Sequence, residues 1–502
     1  MLAFGRRLLH DYDARFLAFL ACAYMGLKGG AGGMLRLALL PLFKTVAGAT
    51  NVEYQSYALI ILIPWALKPI VGMADFFPLC GRTKQWYVLA AAAVGVPAAV
   101  VLAHKYDTLP LPALAGLATA VSVQLATTDI LSEGRYVTLM RGTPSDSSIV
   151  SYVWFMTMLS EIMVALVAGP VADDGNVQLL LWTVAVLCAQ IVVPTAAGWM
   201  LDPVVRTQAG VPSAQRWTVH MTVLMIVASV SVAAAATSPS WQVQLAVSGV
   251  ATSLVAGAAL HLMPPELSRA SVFMFLSSAT ATQFAGTLDY FYTADILCVP
   301  GGPAFSMTFY LTVATISSAV CATGGVLLFQ QYFSQWRCGP LFRLTILLRV
   351  AVSFVDIAIV SRWNTAVGLA DHSAYLFGDA CLGSVVNMLG TMAMVVLTAR
   401  VCPQQSECIV YAIVAGMQNL GASVAALNGN AATLLTGITF ADGVCAFDHF
   451  PAVLAVGTMA VPVVMLPFTW WWFPSTGRTA EYVAFTIEHD ACESGSEDDV
   501  TE

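Results

Sequence analysis

Charged side chains interrupt several long apolar runs of this sequence, and they are the residues whose chemistry most needs an explanation. Lys28 and Lys68 lie in the first two runs, and Asp129 lies in a later one. An ionisable side chain inside a run long enough to cross a bilayer is costly, and such residues commonly mark ion pathways, proton relays or binding sites. We therefore interpret these residues as parts of a polar site inside a membrane.

The second half of the chain carries charges of its own. Arg349 and Asp356 share one face of a predicted helix, two turns apart, which is too far for a direct ion pair. Each therefore needs a partner from another helix or from a ligand, and Asp379 opens the next run. The predicted substrate-binding residues are Lys28, Lys68, Asp129, Tyr292, Arg349, Asp356, Asp379 and Asn419. Asp129 and Asp379 are also the predicted proton-coupling residues.

Several of these residues have a purely structural alternative. Gly29 and Gly33, which follow Lys28, have the spacing of a small-residue face for close helix packing, or they mark a kink near a substrate. Lys68 precedes a proline that bends the helix, and its alternative role is an ion pair with an acid of a neighbouring helix. For Tyr292, near the end of a run, the alternative is an aromatic belt at the membrane surface.

The composition places these residues in a helical membrane protein. The chain has 502 residues, of which 58% are hydrophobic and 10% are charged. A soluble domain carries roughly a quarter charged residues. Much of the net charge of −8 lies in the C-terminal sequence EHDACESGSEDDVTE, which is typical of a disordered, solvated tail. The 11 cysteines are scattered without a CxxC pair, which favours buried thiols in the membrane.

The apolar runs predict an all-α polytopic protein with 14 spans, and 12 is the alternative if two runs lie in the interface. We predict an N-terminal six-helix half at 1–201, a central segment with two extra helices at 202–265, a C-terminal six-helix half at 266–474 and the tail at 475–502. The predicted spans are 16–44, 53–75, 86–104, 111–133, 148–172, 177–201, 217–237, 243–263, 269–293, 303–331, 338–362, 372–401, 407–437 and 450–473.

The charges of the connecting segments orient these spans. With the N-terminus inside, most arginines and lysines fall in cytoplasmic segments, whereas the external ones hold little beyond Lys44, Lys105 and Arg362. This is the distribution that the positive-inside rule describes. Both termini are therefore predicted to be cytoplasmic.

A short cluster of acidic and basic residues separates the second predicted span from the third, in WALKPIVGMADFFPLCGRTKQWY at 65–87. Lys68-Pro69 and Gly72 match the start of the K-P-x-x-G-x-x-x-D-x-x-P-x-x-G pattern of the folate–biopterin transporter family. Asp75, Pro78 and Gly81 keep the spacing of its second part and come one residue early. This stretch resembles the first cytoplasmic hairpin of that family, which is a branch of the major facilitator superfamily.

A second specific match is VCPQQSECIVYAIVAGMQNLGA at 401–422, with Cys402-Pro403, Glu407, Tyr411 and Asn419 in the family's positions. The D-x-x-x-E-x-x-Y arrangement of Asp129, Glu133 and Tyr136 and the stretch TLDYFYTAD at 287–295 are also similar to the family. The chain departs from the family where SSATATQF replaces a segment that usually contains a proline.

The resemblance implies two six-helix halves with substrate between them, and a cytoplasmic gate at the hairpin. In this superfamily the hairpin acid contacts the ends of the fourth and fifth helices in the outward-facing state, so we expect Asp75 to pair with Arg141 or Arg135. The residues assigned to the gate are Asp75, Gly81, Arg82, Lys84, Glu133, Arg135 and Arg141.

The function that the resemblance implies is secondary active import of a pteridine, folate or biopterin, by proton symport with alternating access. The alternatives are a carrier of S-adenosylmethionine or another small metabolite, and a transport-inactive, sensor-like relative. A pump or membrane enzyme is disfavoured, because the sequence has neither G-x-x-x-x-G-K-[ST] nor H-E-x-x-H. We expect a plasma-membrane monomer that handles substrate and protons, with no cofactor, no metal and no nucleic acid.

Overall fold

Long helices make up nearly all of the chain. The structure is a computed structural model that describes residues 8–82, 84–140, 148–203, 211, 215–333, 336–401, 407–441 and 444–472. The helices of the first half are α1 (the consecutive segments Ala14–Ala21, Cys22–Gly32, Gly33–Leu40 and Pro41–Val46), α2 (Asn51–Ala66, Lys68–Gly72 and Met73–Asp75), α3 (Gln85–Lys105), α4 (Leu111–Met140), α5 (Ser148–Asp173) and α6 (Val177–Ala189 and Val192–Ala196).

The remaining helices are α7 (Arg216–Ala236), α8 (Trp241–Leu262), α9 (Pro265–Thr280 and Ala285–Tyr292), α10 (Thr308–Val313, Ala314–Leu328 and Phe329–Phe333), α11 (Cys338–Val360, followed by the short Trp363–Ala366), α12 (Asp371–Tyr375, Leu376–Gly383 and Ser384–Val401), α13 (Glu407–Thr436) and α14 (Phe450–Ala455, Val456–Ala460, Val461–Val463 and Leu466–Trp471). Two short antiparallel strands, β1 (Thr439–Ala441) and β2 (Val444–Ala446), join α13 to α14.

Each predicted span coincides with one of these helices, so the prediction of a polytopic helical protein is confirmed. Within the described part of the chain, 11 helices are long and apolar enough to cross a membrane. The tail at 475–502 lies outside the described residues.

The first and second halves pack against each other along α2 and α13, along α5 and α10, and between α2 and the second segment of α9. The two helices between the halves, α7 and α8, pack against each other and against α13. Their outer faces carry exposed apolar side chains such as Val227 and Val250, which suit contact with lipid.

Helix α9 breaks at residues 281–284, although no proline is present. The backbone groups of the break are satisfied by neighbouring helices: Gln283 N donates to Ala425 O at 3.2 Å, and Gln55 Nε2 donates to Gln283 O at 3.0 Å. Such breaks occur in membrane helices where other groups replace the lost helical bonds. The missing family proline is therefore not needed for a discontinuous helix here.

A disulfide joins Cys298, in the loop after α9, to Cys445 of β2. The prediction that the cysteines are buried thiols is wrong for these two. The reason is spatial: the partners are 147 residues apart, and only the fold brings the two loops together. Both loops lie at the end of the molecule opposite the hairpin at 76–84. We call the end that carries this hairpin the hairpin end.

Candidate functional site

A buried cluster of two lysines and two acids lies where α1, α2 and α4 meet. Asp129 is at its centre: Lys28 Nζ lies 2.7 Å from Oδ1, and Lys68 Nζ donates to Oδ2 at 2.7 Å. Lys68 Nζ is also 3.7 Å from Glu133 Oε2. The Lys68 and Asp129 side chains are almost fully enclosed, whereas Lys28 is 25% exposed. The spacing of Asp129 and Glu133 on one face of α4 therefore brings both acids to the lysines.

Aromatic rings surround the two ammonium groups of this cluster. Lys68 Nζ lies 4.8 Å from the centroid of the Trp65 ring, and Lys28 Nζ lies 5.4 Å from Tyr24 and 5.7 Å from Trp154. These distances are within the range of cation–π attraction, which is stronger where water is excluded. The rings thus help to hold the lysines within the membrane.

A cavity of about 820 Å³ lies between the two halves. Lys28, Arg349, Asp356 and Asp379, all predicted from the sequence, line its wall. The wall also holds residues that are not among the predicted substrate-binding residues: charged Arg36, Glu161 and Asp289, and aromatic Tyr54, Trp65, Tyr310 and Tyr375. The site therefore presents both signs of charge and flat rings to one space.

Tyrosines hold the carboxylates on the second-half side of the cavity. Asp289 accepts hydrogen bonds from Tyr54 at 3.0 Å and from Tyr310 at 2.7 Å. Tyr292, which is fully buried, donates to Asp356 Oδ1 at 2.6 Å. Within the described part of the chain, none of the cavity's aspartates Asp289, Asp356 and Asp379 forms an ion pair with lysine or arginine. These three aspartates thus differ from Asp129, whose carboxylate contacts two lysines.

Asn419 reaches a different part of the interface. Its Nδ2 donates to the Trp65 carbonyl at 3.1 Å. This hydrogen bond joins α13 to α2 about one helical turn from Lys68. Asn419 also lines a smaller cavity beside the central one. Tyr54, Tyr310 and Tyr375 could not be assigned from the sequence, because aromatic residues are common in every span and nothing in the spacing of these three distinguishes them.

The hairpin end closes differently from the prediction. Asp75 Oδ1 is 3.1 Å from Lys84 Nζ, whereas Arg135 Nη2 donates to the Leu201 carbonyl at 2.6 Å. Of the two predicted partners of Asp75, Arg135 is therefore not paired with it in this structure. The other, Arg141, lies outside the described residues, and that pairing stays a prediction. A tight turn, with Gly81 at φ 74°, returns the chain so that Lys84 reaches back to Asp75.

Asp202 secures the other side of this hairpin. Its Oδ2 accepts from the backbone N–H groups of Lys84 at 2.8 Å and Gln85 at 3.0 Å, at the start of α3. Arg82 donates to the Asp202 carbonyl. A carboxylate on the free N–H groups of a helix start is stabilising. No local sequence pattern predicts this contact, because even Gln85, the nearest of these partners along the chain, is 117 residues from Asp202.

The two halves touch at both ends of the cavity. Near the hairpin end, a Cβ on Gly134 of α4 would lie 2.9 Å from the Cys408 side chain, so the two helices are in close contact. At the opposite end, Lys44 Nζ donates to the Thr293 carbonyl at 2.8 Å, and Tyr290 OH donates to the Ala49 carbonyl at 2.7 Å. These contacts are positioned to act as barriers on either side of the cavity.

Comparisons with known proteins agree on one family. The model of the BT1 family matches residues 28–483. Probable folate-biopterin transporter 6 of Arabidopsis thaliana is 22% identical over 419 residues, which cover 83% of this chain and 75% of that protein. Folate-biopterin transporter of Synechocystis sp. is 22% identical over 442 residues, with 88% and 78% covered.

Solved structures that resemble the fold are also transporters. The POT family transporter PepTSo matches with a TM-score of 0.60 at 12% identity, covering 96% of this chain and 99% of that one. The nucleoside transporter NupG matches with a TM-score of 0.57 at 13% identity, covering 92% and 98%. At such identities the likeness shows the fold, which is that of the major facilitator superfamily, as predicted.

Proposed function

We propose, from the premise that this chain belongs to the BT1 family, that it is a secondary carrier that imports a pteridine, folate or biopterin, together with protons. The family and the fold make it a multi-pass membrane transporter of a small molecule, and not an enzyme. The observation that carries the finer proposal is the cavity between the halves, because it combines carboxylates, cations and aromatic rings.

Each part of a pteridine has a chemically suited group on the cavity wall. The flat ring can stack on Tyr54, Trp65 or Tyr310, and its N–H edge can donate to a carboxylate such as Asp289. Arg36 and the exposed quarter of the Lys28 side chain offer positive charge to an anionic group. A pocket of several hundred Å³ with a few polar groups is typical of small-molecule sites.

Asp129 and Asp379 are the proposed proton-coupling residues. Protonation of Asp129 would weaken its contacts with both Lys28 and Lys68, and would free Lys28, the more exposed one, for an anionic substrate. Asp379 is on the cavity wall without a lysine or arginine partner in the described part of the chain. Protonation of Asp129 is thus linked to a change of ion pairs, whereas Asp379 can exchange a proton directly with the cavity.

The orientation we propose places both termini in the cytoplasm and the hairpin end, with Asp75, Gly81, Arg82, Lys84, Glu133 and Arg135, at the cytoplasmic gate. The disulfide of Cys298 and Cys445 supports this, since disulfides form on the oxidising side of a membrane and both loops are opposite the hairpin. We further propose that the carrier is a monomer in the plasma membrane.

The second candidate function is transport of S-adenosylmethionine or a related cation. The observation that favours it is the excess of acids on the cavity wall: Glu161, Asp289, Asp356 and Asp379 face Lys28, Arg36 and Arg349. A cationic sulfonium group would be attracted to the three aspartates on the second-half side.

Uptake of labelled folate, biopterin and S-adenosylmethionine by cells expressing the chain distinguishes these functions. We expect saturable uptake of at least one pteridine that rises when the external medium is acidified. Uptake of S-adenosylmethionine alone would replace the proposal by the second candidate. Surface-expressed protein that carries none of the three would favour a transport-inactive relative.

A further inference from the structure

A second, smaller cavity opens beside the central one, within the second half of the molecule. It has a volume of about 340 Å³ and is bounded by the break in α9, by α11, by α13 and by α14. Its polar wall residues are Ser278, Thr282, Gln283, Arg349, Ser353, Gln418, Asn419 and Thr458. We call it the side pocket.

Arg349 is the only charged residue on the wall of the side pocket among the described residues, and it lines the central cavity as well. Its guanidinium donates to Asn387 Oδ1 at 3.3 Å and has no carboxylate partner in the described part of the chain. A guanidinium has five N–H donors in a planar fork that fits a carboxylate. Most of this donor capacity is thus left for a ligand.

The two cavities differ in the charges of the residues on their walls. The central cavity has four acids on its wall, whereas no described residue on the wall of the side pocket is acidic. An anionic group that binds Arg349 from the side pocket therefore avoids the carboxylates of the central cavity, which outnumber Lys28 and Arg36 there. The Gln283 side chain is exposed at the break in α9 and can add an amide donor. Irregular backbone that lines a cavity between helices is a common place for ligand contacts in transporters.

We propose that the side pocket binds the carboxylate end of an elongated substrate, with Arg349 as its anchor, while the flat ring of the same substrate stays in the central cavity. This rests on the proposed function and deepens it: folate has a glutamyl dicarboxylate tail, and biopterin has only a short neutral side chain. The pocket therefore determines how strongly the carrier prefers the carboxylated pteridine over the neutral one.

The test compares folate and biopterin uptake in variants of Arg349. Arg349→Gln removes the charge, and we expect the ratio of kcat/KM for folate to that for biopterin to fall about tenfold or more, since loss of one partner of a hydrogen-bonded charge pair is costly. Arg349→Lys keeps the charge without the fork and is expected to restore part of the ratio. Arg343→Gln is the matched control on the same helix, because Arg343 packs over the Trp470 ring at 4.7 Å.

An equal loss for both substrates in Arg349→Gln, or no loss, would overturn the proposal. If the parent protein carries neither pteridine, the proposed function fails, and a thermal shift of purified protein with p-aminobenzoylglutamate then decides the pocket on its own. Stabilisation that is lost in Arg349→Gln supports the anion site, and no stabilisation of the parent protein excludes it. If Arg349→Gln does not fold, Thr282→Val, which removes one hydroxyl from the pocket wall, is expected to lower the same ratio in the same direction.

Discussion

Each carboxylate oxygen of Asp129 contacts a lysine, and no other acid among the described residues has this arrangement. The sequence predicted that Lys28, Lys68 and Asp129 face one site, because charges inside apolar runs need partners. That Asp129 pairs with both lysines could not be predicted from the sequence. The relative positions of α1, α2 and α4 along their axes depend on packing, which no local pattern encodes. The structural alternative for Lys68, an ion pair with a neighbouring helix, describes its geometry in this structure.

Replacement of Asp129 tests whether this arrangement couples the proton to the substrate. We expect Asp129→Asn to abolish the stimulation of uptake by acid while counterflow exchange, which needs no net proton movement, is partly kept. Lys68→Met is expected to raise KM for an anionic substrate before it lowers kcat. The measurements are initial rates across external pH, corrected for surface expression because an unpaired buried charge also costs stability.

The control for this experiment is Asp107→Asn, since Asp107 is an exposed acid in the loop between α3 and α4. Asp379→Asn is compared in parallel. If Asp129→Asn keeps its acid stimulation and Asp379→Asn loses it, the proton site moves to Asp379. Retention of the pH dependence in both variants would rule out both residues.

At the scale of elements, the helices were predictable and their irregularities were not. The 3.6-residue pattern is weak in membrane helices, but length and hydropathy were sufficient to locate the long helices of the described residues, 11 of which are long and apolar enough to cross a membrane. The break in α9 was missed because its cause lies in α13 and α2, whose groups bind the freed backbone of Gln283. The contact of Asp75 with Lys84 was not predicted either, since that partner lies in the same turn and not on another helix.

Close contact between α13 and the break in α9 gives a prediction at this scale. A Cβ on Gly429 would clash with the Gln283 carbonyl oxygen, which is backbone and cannot rotate away. We therefore expect Gly429→Ala to push the two elements apart, to lower the melting temperature of purified protein by several degrees and to reduce transport.

Gly249→Ala is the matched control for this substitution, because nothing lies within 4 Å of the added carbon on α8. It should be neutral or slightly stabilising, as alanine is the better helix former. Equal behaviour of the two variants would mean that the contact at Gly429 does not constrain the break.

At the scale of the whole molecule, orientation was predicted from loop charges alone, and the disulfide now adds an independent argument. Cys80 allows a direct check, because it is an exposed free cysteine in the hairpin. In a background with the other free cysteines replaced by serine, an impermeant maleimide should label Cys80 only after the cells are permeabilised. A cysteine introduced at exposed Asp107 should be labelled in intact cells, and labelling of Cys80 there would reverse the orientation.

The central claim, that this chain carries a pteridine by coupling it to protons, is tested most directly with purified protein in proteoliposomes. With acid outside and a more alkaline lumen, the account predicts that labelled folate or biopterin accumulates above its external concentration. Accumulation should collapse with a protonophore and be absent from protein-free vesicles. Uptake of neither pteridine, or uptake that only reaches the external concentration whatever the pH gradient, would contradict it.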